Sequence, residues 1–222
     1  MKEAKTVIPK PDQSFNLDSK IALVTGSSQG LWLILFIKNK IGPINILVNN
    51  ACIQRHASLE LFKELDWHDF LQTNLTGIFF VSKKVAKLMI LRKRGKIINI
   101  CLLQSELART NIACYPVTKY GLKMFTKWMT TDWGKYNIQA KDIEPNYFFT
   151  ETTHSLTKNP QFNTWLKARI LMERWGDSAE LIEIIIFLAS LISDLITGQV
   201  VYVDGSILST MGGNYGQTFS IP

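Results

Sequence analysis

Apolar residues along this chain fall into two kinds of pattern. Short continuous runs occur at Lys20–Val24, Ile44–Val48, Lys96–Ile100, Ile138–Ile143 and Val200–Val203, and each predicts a strand. Between them, Trp67–Leu91, Tyr115–Tyr136 and Leu181–Leu191 carry apolar residues at helical spacing; Phe70, Leu71, Ile78, Phe79, Val85 and Met89 mark the first of these. The runs are continuous rather than alternating, as expected for strands covered on both faces by helices. The resulting order, β-α-β-α-β-α-β-α-β, predicts an α/β domain with a doubly wound parallel sheet. The stretch Asn146–Asp177 reads as irregular. Residues 1–14 are polar with two prolines and read as an extension, leaving 15–222 as a single domain.

Composition narrows the class. At 46% hydrophobic and 19% charged, 222 residues are enough for one self-sufficient core. Three widely spaced cysteines, Cys52, Cys101 and Cys114, suggest neither a disulfide framework nor a metal site. The net charge, 25 − 18 = +7, raises the question of an anionic partner. Its one dense basic cluster, Arg92, Lys93, Arg94 and Lys96, follows an apolar helical run and reads as a helix C-terminus, where cations meet the negative end of the dipole. No nucleic-acid module accompanies it. The longest apolar run, Leu31–Ile37, is too short for a bilayer, and the N-terminus lacks a secretory pattern. A cytoplasmic protein without nucleic-acid or membrane partners is expected.

In open parallel sheets, ligands bind beyond the carboxyl ends of the strands. Here those ends carry Thr25–Gly30, Asn49–Cys52, Cys101–Ser105 and Glu144–Thr150. The glycine-bearing turn after the first strand would let a phosphate approach the backbone at a helix N-terminus. Tyr115 and Lys119 stand four apart, so on a helix the ammonium and the phenol share a face. A nearby cation lowers a phenol's pKa and suits it to proton transfer.

The ordered set Thr25-Gly26-x-x-x-Gly30, Asn49-Asn50-Ala51, Asn74, Tyr115/Lys119, Pro145 and Val203-Asp204-Gly205 resembles the short-chain dehydrogenase/reductase family from Phe15 onward. Asn49–Arg55, Asn99–Arg109 and Arg174–Asp177 are most similar to its members that act on gluconate. The resemblance implies a Rossmann-like sheet and hydride transfer between NAD(P)(H) and the hydroxyl or ketone carbon of a small sugar acid. It implies Tyr115 as general acid/base, Lys119 lowering its pKa and holding the nicotinamide ribose, and Asn74 supporting a proton relay. Thr25, Gly26, Gly30, Asn50, Ala51, Lys119 and Pro145 are then the expected cofactor residues. Arg55 and Arg174 could hold a substrate carboxylate, since arginine binds carboxylates bidentately, with Gln104 and Tyr147 on the substrate side. The family also implies a homo-oligomer, a dimer or tetramer, built through the long helices.

Several positions depart from that pattern. Thirteen residues before Tyr115, where the family has a serine that bonds the substrate oxygen, stands Leu102. Ser105 and Cys101 are expected to point elsewhere. Pro116 disfavours helical geometry at Tyr115, Asn146 and Cys52 replace glycines, and Trp32 is bulky where a pyrophosphate would approach. Between Gly30 and Ile41 only ten residues, Leu31–Lys40, precede a segment that begins the fourth strand in the family. The second and third strands, and the residue that reads the adenosine ribose, are expected to be lost, which would leave the first strand at a sheet edge. Residual or no dehydrogenase activity is therefore expected. The alternative is a catalytically silent relative or truncated gene product serving as an interaction or oligomerisation module.

Overall fold

The computed structural model describes residues 15–26, 41–112, 114–150 and 153–209. Five strands, β1 (Ile21–Val24), β2 (Ile44–Asn49), β3 (Gly95–Ile100), β4 (Ile138–Pro145) and β5 (Val200–Val203), form one sheet in sequence order. Every neighbouring pair is parallel, with Leu23 opposite Leu47, Leu47 opposite Ile97 and Ile97 opposite Ala140. Among the described residues β1 lies at an edge, as expected from the sequence.

Six helices accompany the sheet among the described residues: α1 (Glu64–Leu71), α2 (Gly77–Arg92), α3 (Cys114–Trp133), α4 (His154–Thr157), α5 (Pro160–Arg169) and α6 (Ser178–Ala189). Successive strand residues face opposite ways, and the two halves of the core divide accordingly. Leu47 and Ile97 pack with Val85 and Met89 of α2 and Met129 of α3 on one face. Ile46, Val48 and Ile98 pack with Leu188 and Ala189 of α6 on the other. The predicted two-sided cover is present.

Three local features differ from the sequence reading. The stretch read as one helix over Trp67–Leu91 is two helices joined by a π-helical turn, Gln72–Thr76. The region read as irregular contains α4 and α5; α5 starts with Asn159, whose side chain accepts the Phe162 N–H at 3.0 Å, and with Pro160 at its first position. Strand β4 runs on to Pro145. The basic cluster does close a helix: α2 ends at Arg92, and Lys93 turns the chain out with φ 51°. No helix among the described residues is long and apolar enough to cross a membrane, and no group of three His, Cys, Asp or Glu there could hold a metal ion.

Candidate active site

Helix α3 begins at Cys114, so Tyr115 and Pro116 lie in its first turn. A proline there costs no helical hydrogen bond, and the Tyr115–Lys119 register survives it. Both side chains are buried, and the Lys119 ammonium sits 5.5 Å from the centre of the Tyr115 ring. Lys119 Nζ donates to the Ile100 carbonyl at 2.6 Å, which ties α3 to the carboxyl end of β3. The Tyr115 ring meets Phe70 of α1 edge-on, 6.4 Å between centroids. Its hydroxyl donates to Cys52 Sγ at 3.9 Å. Burial, followed by the nearby Cys52 and Cys101 thiols, pushes the phenol pKa above its ordinary value. The lowering implied for Lys119 does not outweigh that burial, so Tyr115 holds its proton at neutral pH.

Asn74 is positioned by the π turn. An extra residue in the helical turn is a recurrent way of re-aiming a side chain at a functional site. Here it leaves Asn74 wholly buried, clamped to the Ile53 backbone: Oδ1 accepts the Ile53 N–H at 2.8 Å and Nδ2 donates to the Ile53 carbonyl at 3.0 Å.

Leu102 packs in the same apolar cluster as Tyr115, with Phe70, Ile112 and Cys114. The position thirteen residues before Tyr115 thus holds, within this cluster, a side chain with no donor. Neither neighbour substitutes for one. Ser105 Oγ donates to Glu144 Oε1, and Cys101 is buried with Sγ 4.0 Å from the Lys119 carbonyl. Burial raises the Cys101 thiol well above its usual pKa, so it stays protonated.

The carboxyl ends of β1 and β2 are locked together. Thr25 Oγ1 accepts the N–H groups of Asn50 at 3.0 Å and Ala51 at 3.1 Å. Gly26 takes φ +110°, and a Cβ there would come within 3.3 Å of Ala51 Cα, so this turn admits no ordinary side chain. Thr25, Gly26, Asn50 and Ala51 thus form one tight junction at the carboxyl ends of β1 and β2, in which Gly26 presents no side chain. Gly30 and Trp32, together with the crossover Leu31–Lys40, lie outside the described residues. Pro145 closes β4 opposite Val203, and Asn146 Nδ2 donates to the Asp204 carbonyl at 3.0 Å without a positive φ.

Of the expected substrate residues, two are brought together and two are otherwise engaged. Gln104 and Tyr147 meet beyond β3 and β4, with Gln104 Nε2 3.5 Å from the Tyr147 hydroxyl. Arg55 pairs with Asp66 and Asp69. Arg174 grips Glu180 bidentately at 2.9 and 2.6 Å and holds that carboxyl down at about 2. The sequence reading missed Arg109, whose NH1 donates to the Tyr147 hydroxyl at 2.8 Å. It also missed two buried carboxylates on β4: Asp142, inside a run read only as strand, and Glu144, read as the start of the strand-end segment Glu144–Thr150 without a role of its own. Asp142 ends a chain of buried polar groups: Asn49 Nδ2 donates to Asn99 Oδ1 at 2.7 Å, Asn99 Nδ2 to Thr126 Oγ1 at 2.6 Å, and Thr126 Oγ1 to Asp142 Oδ1 at 2.6 Å.

Comparison with known proteins agrees with this fold. A family model described as enoyl-(acyl carrier protein) reductase matches residues 24–206. Gluconate 5-dehydrogenase of Gluconobacter oxydans is 48% identical over 171 residues, which are 77% of this chain and 67% of that one. The 5-keto-D-gluconate 5-reductase of Escherichia coli K12 is 44% identical over 172 residues, 78% of this chain and 68% of that one. The crystal structure of a gluconate 5-dehydrogenase from Burkholderia cenocepacia, in complex with NADP and tartrate, superposes with a TM-score of 0.84 at 37% identity. That match covers 89% of this chain and 98% of the other.

Proposed function

The chain belongs to the short-chain dehydrogenase/reductase family, and we propose that it interconverts a hydroxyl and a ketone on a sugar acid of the gluconate/5-ketogluconate kind, slowly, with NAD(P)(H). The observation that carries this reading is the buried Tyr115–Lys119 pair at the carboxyl end of β3, with Asn74 clamped at Ile53, in a chain 48% identical to a gluconate 5-dehydrogenase.

When bound, the nicotinamide cofactor supplies or accepts the hydride. The chain's own residues place the reactants and move the proton. Tyr115, held protonated by its burial, donates its proton to the substrate oxygen during ketone reduction and takes one back during alcohol oxidation. Lys119, anchored on the Ile100 carbonyl, steadies the phenolate left behind and holds the nicotinamide ribose. Asn74 fixes the Ile53 backbone beside the proton path. Thr25, Gly26, Asn50, Ala51 and Pro145 line the cofactor side.

Leu102 sets the rate. Charge develops on the substrate oxygen beside Tyr115, and a missing donor at such a position costs on the order of a hundredfold. The shortened stretch between Gly30 and Ile41, which lacks an adenosine-reading residue, weakens cofactor binding. Exposed Tyr120, Met124 and Trp128 of α3 and Phe80 of α2 give the homo-oligomer an apolar surface. The second reading, a silent relative acting through that surface alone, draws on the same Leu102. Titrating the protein with NADPH and NADH by fluorescence, followed by an assay for reduction of 5-ketogluconate, separates the two. Binding with slow turnover supports the enzyme; a folded oligomer that binds neither nucleotide supports the module.

A further inference from the structure

Arg109 lies on the loop between β3 and α3, between Leu102 and Tyr115 in sequence. Among the described residues it has no carboxylate partner, whereas Arg55 and Arg174 are both neutralised by acids. Its guanidinium is held from two sides. NH1 donates to the Tyr147 hydroxyl at 2.8 Å, and the guanidinium carbon lies 5.2 Å from the centre of the Phe162 ring. Those contacts occupy one of its five N–H donors and fix the plane of the fork. The head is exposed and uncompensated, ready for a bidentate anion.

A second observation at the same place points to a ligand. Gln104 is more than nine-tenths buried, and its Oε1 has no hydrogen-bond partner, while its Nε2 is directed at the same Tyr147 hydroxyl. Buried side-chain polar atoms are normally satisfied. Whichever way the amide is turned, one of its two polar atoms meets Tyr147 and the other is left for a hydroxyl. A fixed cation beside an unsatisfied amide matches a molecule carrying a carboxylate next to hydroxyl groups.

We infer that Arg109, positioned by Tyr147 and Phe162, grips the substrate carboxylate and that Gln104 bonds an adjacent hydroxyl, making this pair the determinant of selectivity for hydroxy acids over neutral polyols. The inference rests on the sugar-acid reading above and assigns the carboxylate to Arg109 rather than to Arg55 or Arg174. An arginine–carboxylate grip is worth about thirtyfold in affinity.

The test is calorimetric and independent of turnover. Gluconate and its neutral alditol, glucitol, are titrated into the wild type, Arg109→Met and Arg109→Lys, each in the presence of NADPH, the reduced nucleotide with which neither alcohol can react. The wild type binds gluconate more tightly than glucitol. Arg109→Met weakens gluconate about thirtyfold and leaves glucitol unchanged, with Arg109→Lys in between. Unchanged gluconate affinity in Arg109→Met overturns the assignment alone. Failure of the wild type to bind gluconate at all overturns the sugar-acid reading, and the assignment with it.

Discussion

Replacing Asp142 by asparagine removes a buried charge while keeping an oxygen to accept the Thr126 hydroxyl. In the native protein the Asp142 side chain is almost wholly buried beneath α3, and burial pushes its pKa up to about 7, against the lowering effect of its bonds to Thr126 and Asn99. In the unfolded chain an aspartate titrates near about 3.9. Between those values the native state binds the extra proton, so this group's stabilising contribution is complete below about pH 3.9 and is lost as pH rises through about 7. Two pH units of that window lie between pH 5 and 7, at about 1.4 kcal/mol each, which gives a loss on the order of 3 kcal/mol. Asparagine is neutral throughout and loses nothing. Urea denaturation of both proteins at pH 5 and pH 8, at one protein concentration, reads the difference directly. The stability of Asp142→Asn relative to wild type should rise by roughly 3 kcal/mol between the two pH values. A difference that stays constant from pH 5 to pH 8 would refute the reasoning, because Asp142 would then carry the same charge in both states.

Two further substitutions probe how the site's supports are built. A Cβ on Gly176 would fall 2.5 Å from Cε1 of the buried Phe148 ring, so Gly176→Ala should cost about 1–3 kcal/mol through overpacking; an unchanged Tm would contradict this. Asp177 caps α6 by accepting the Ala179 N–H at 2.9 Å, while Glu180 accepts the Asp177 N–H at 2.7 Å. Asp177→Ala should cost about 1 kcal/mol by urea denaturation, and no loss would mean that this cap carries no stability.

Much of the architecture was legible because the signals were local. Each strand was a short run rich in apolar residues, and each lies within two residues of its predicted limits, although β4 carries Gln139, Lys141 and Asp142 among its apolar positions. Tyr115 and Lys119 were legible as a pair because the helix repeat alone brings them together. What escaped the reading depends on tertiary context. The π turn that buries Asn74 leaves no mark in an apolar periodicity, so Trp67–Leu91 reads as a single helix. Helix α5 did carry a local signal, the Asn159-Pro160 cap, inside a stretch whose polar composition masked it. Asp142 and Glu144 look like surface charges in a sequence and become buried groups only when α3 covers β4. Arg109 reads as one of 25 basic residues until Tyr147, some forty positions later, is folded against it.

The central claim is that this chain keeps the proton-transfer machinery of a sugar-acid dehydrogenase and lacks the donor that polarises the substrate oxygen. Steady-state reduction of 5-ketogluconate by NADPH, compared between wild type and Leu102→Ser, tests it most directly. Serine at this position should raise the maximal rate on the order of a hundredfold with little change in KM, since the added hydroxyl acts mainly in the transition state. A Leu102→Ser variant that binds NADPH and is no faster than the wild type would contradict the account.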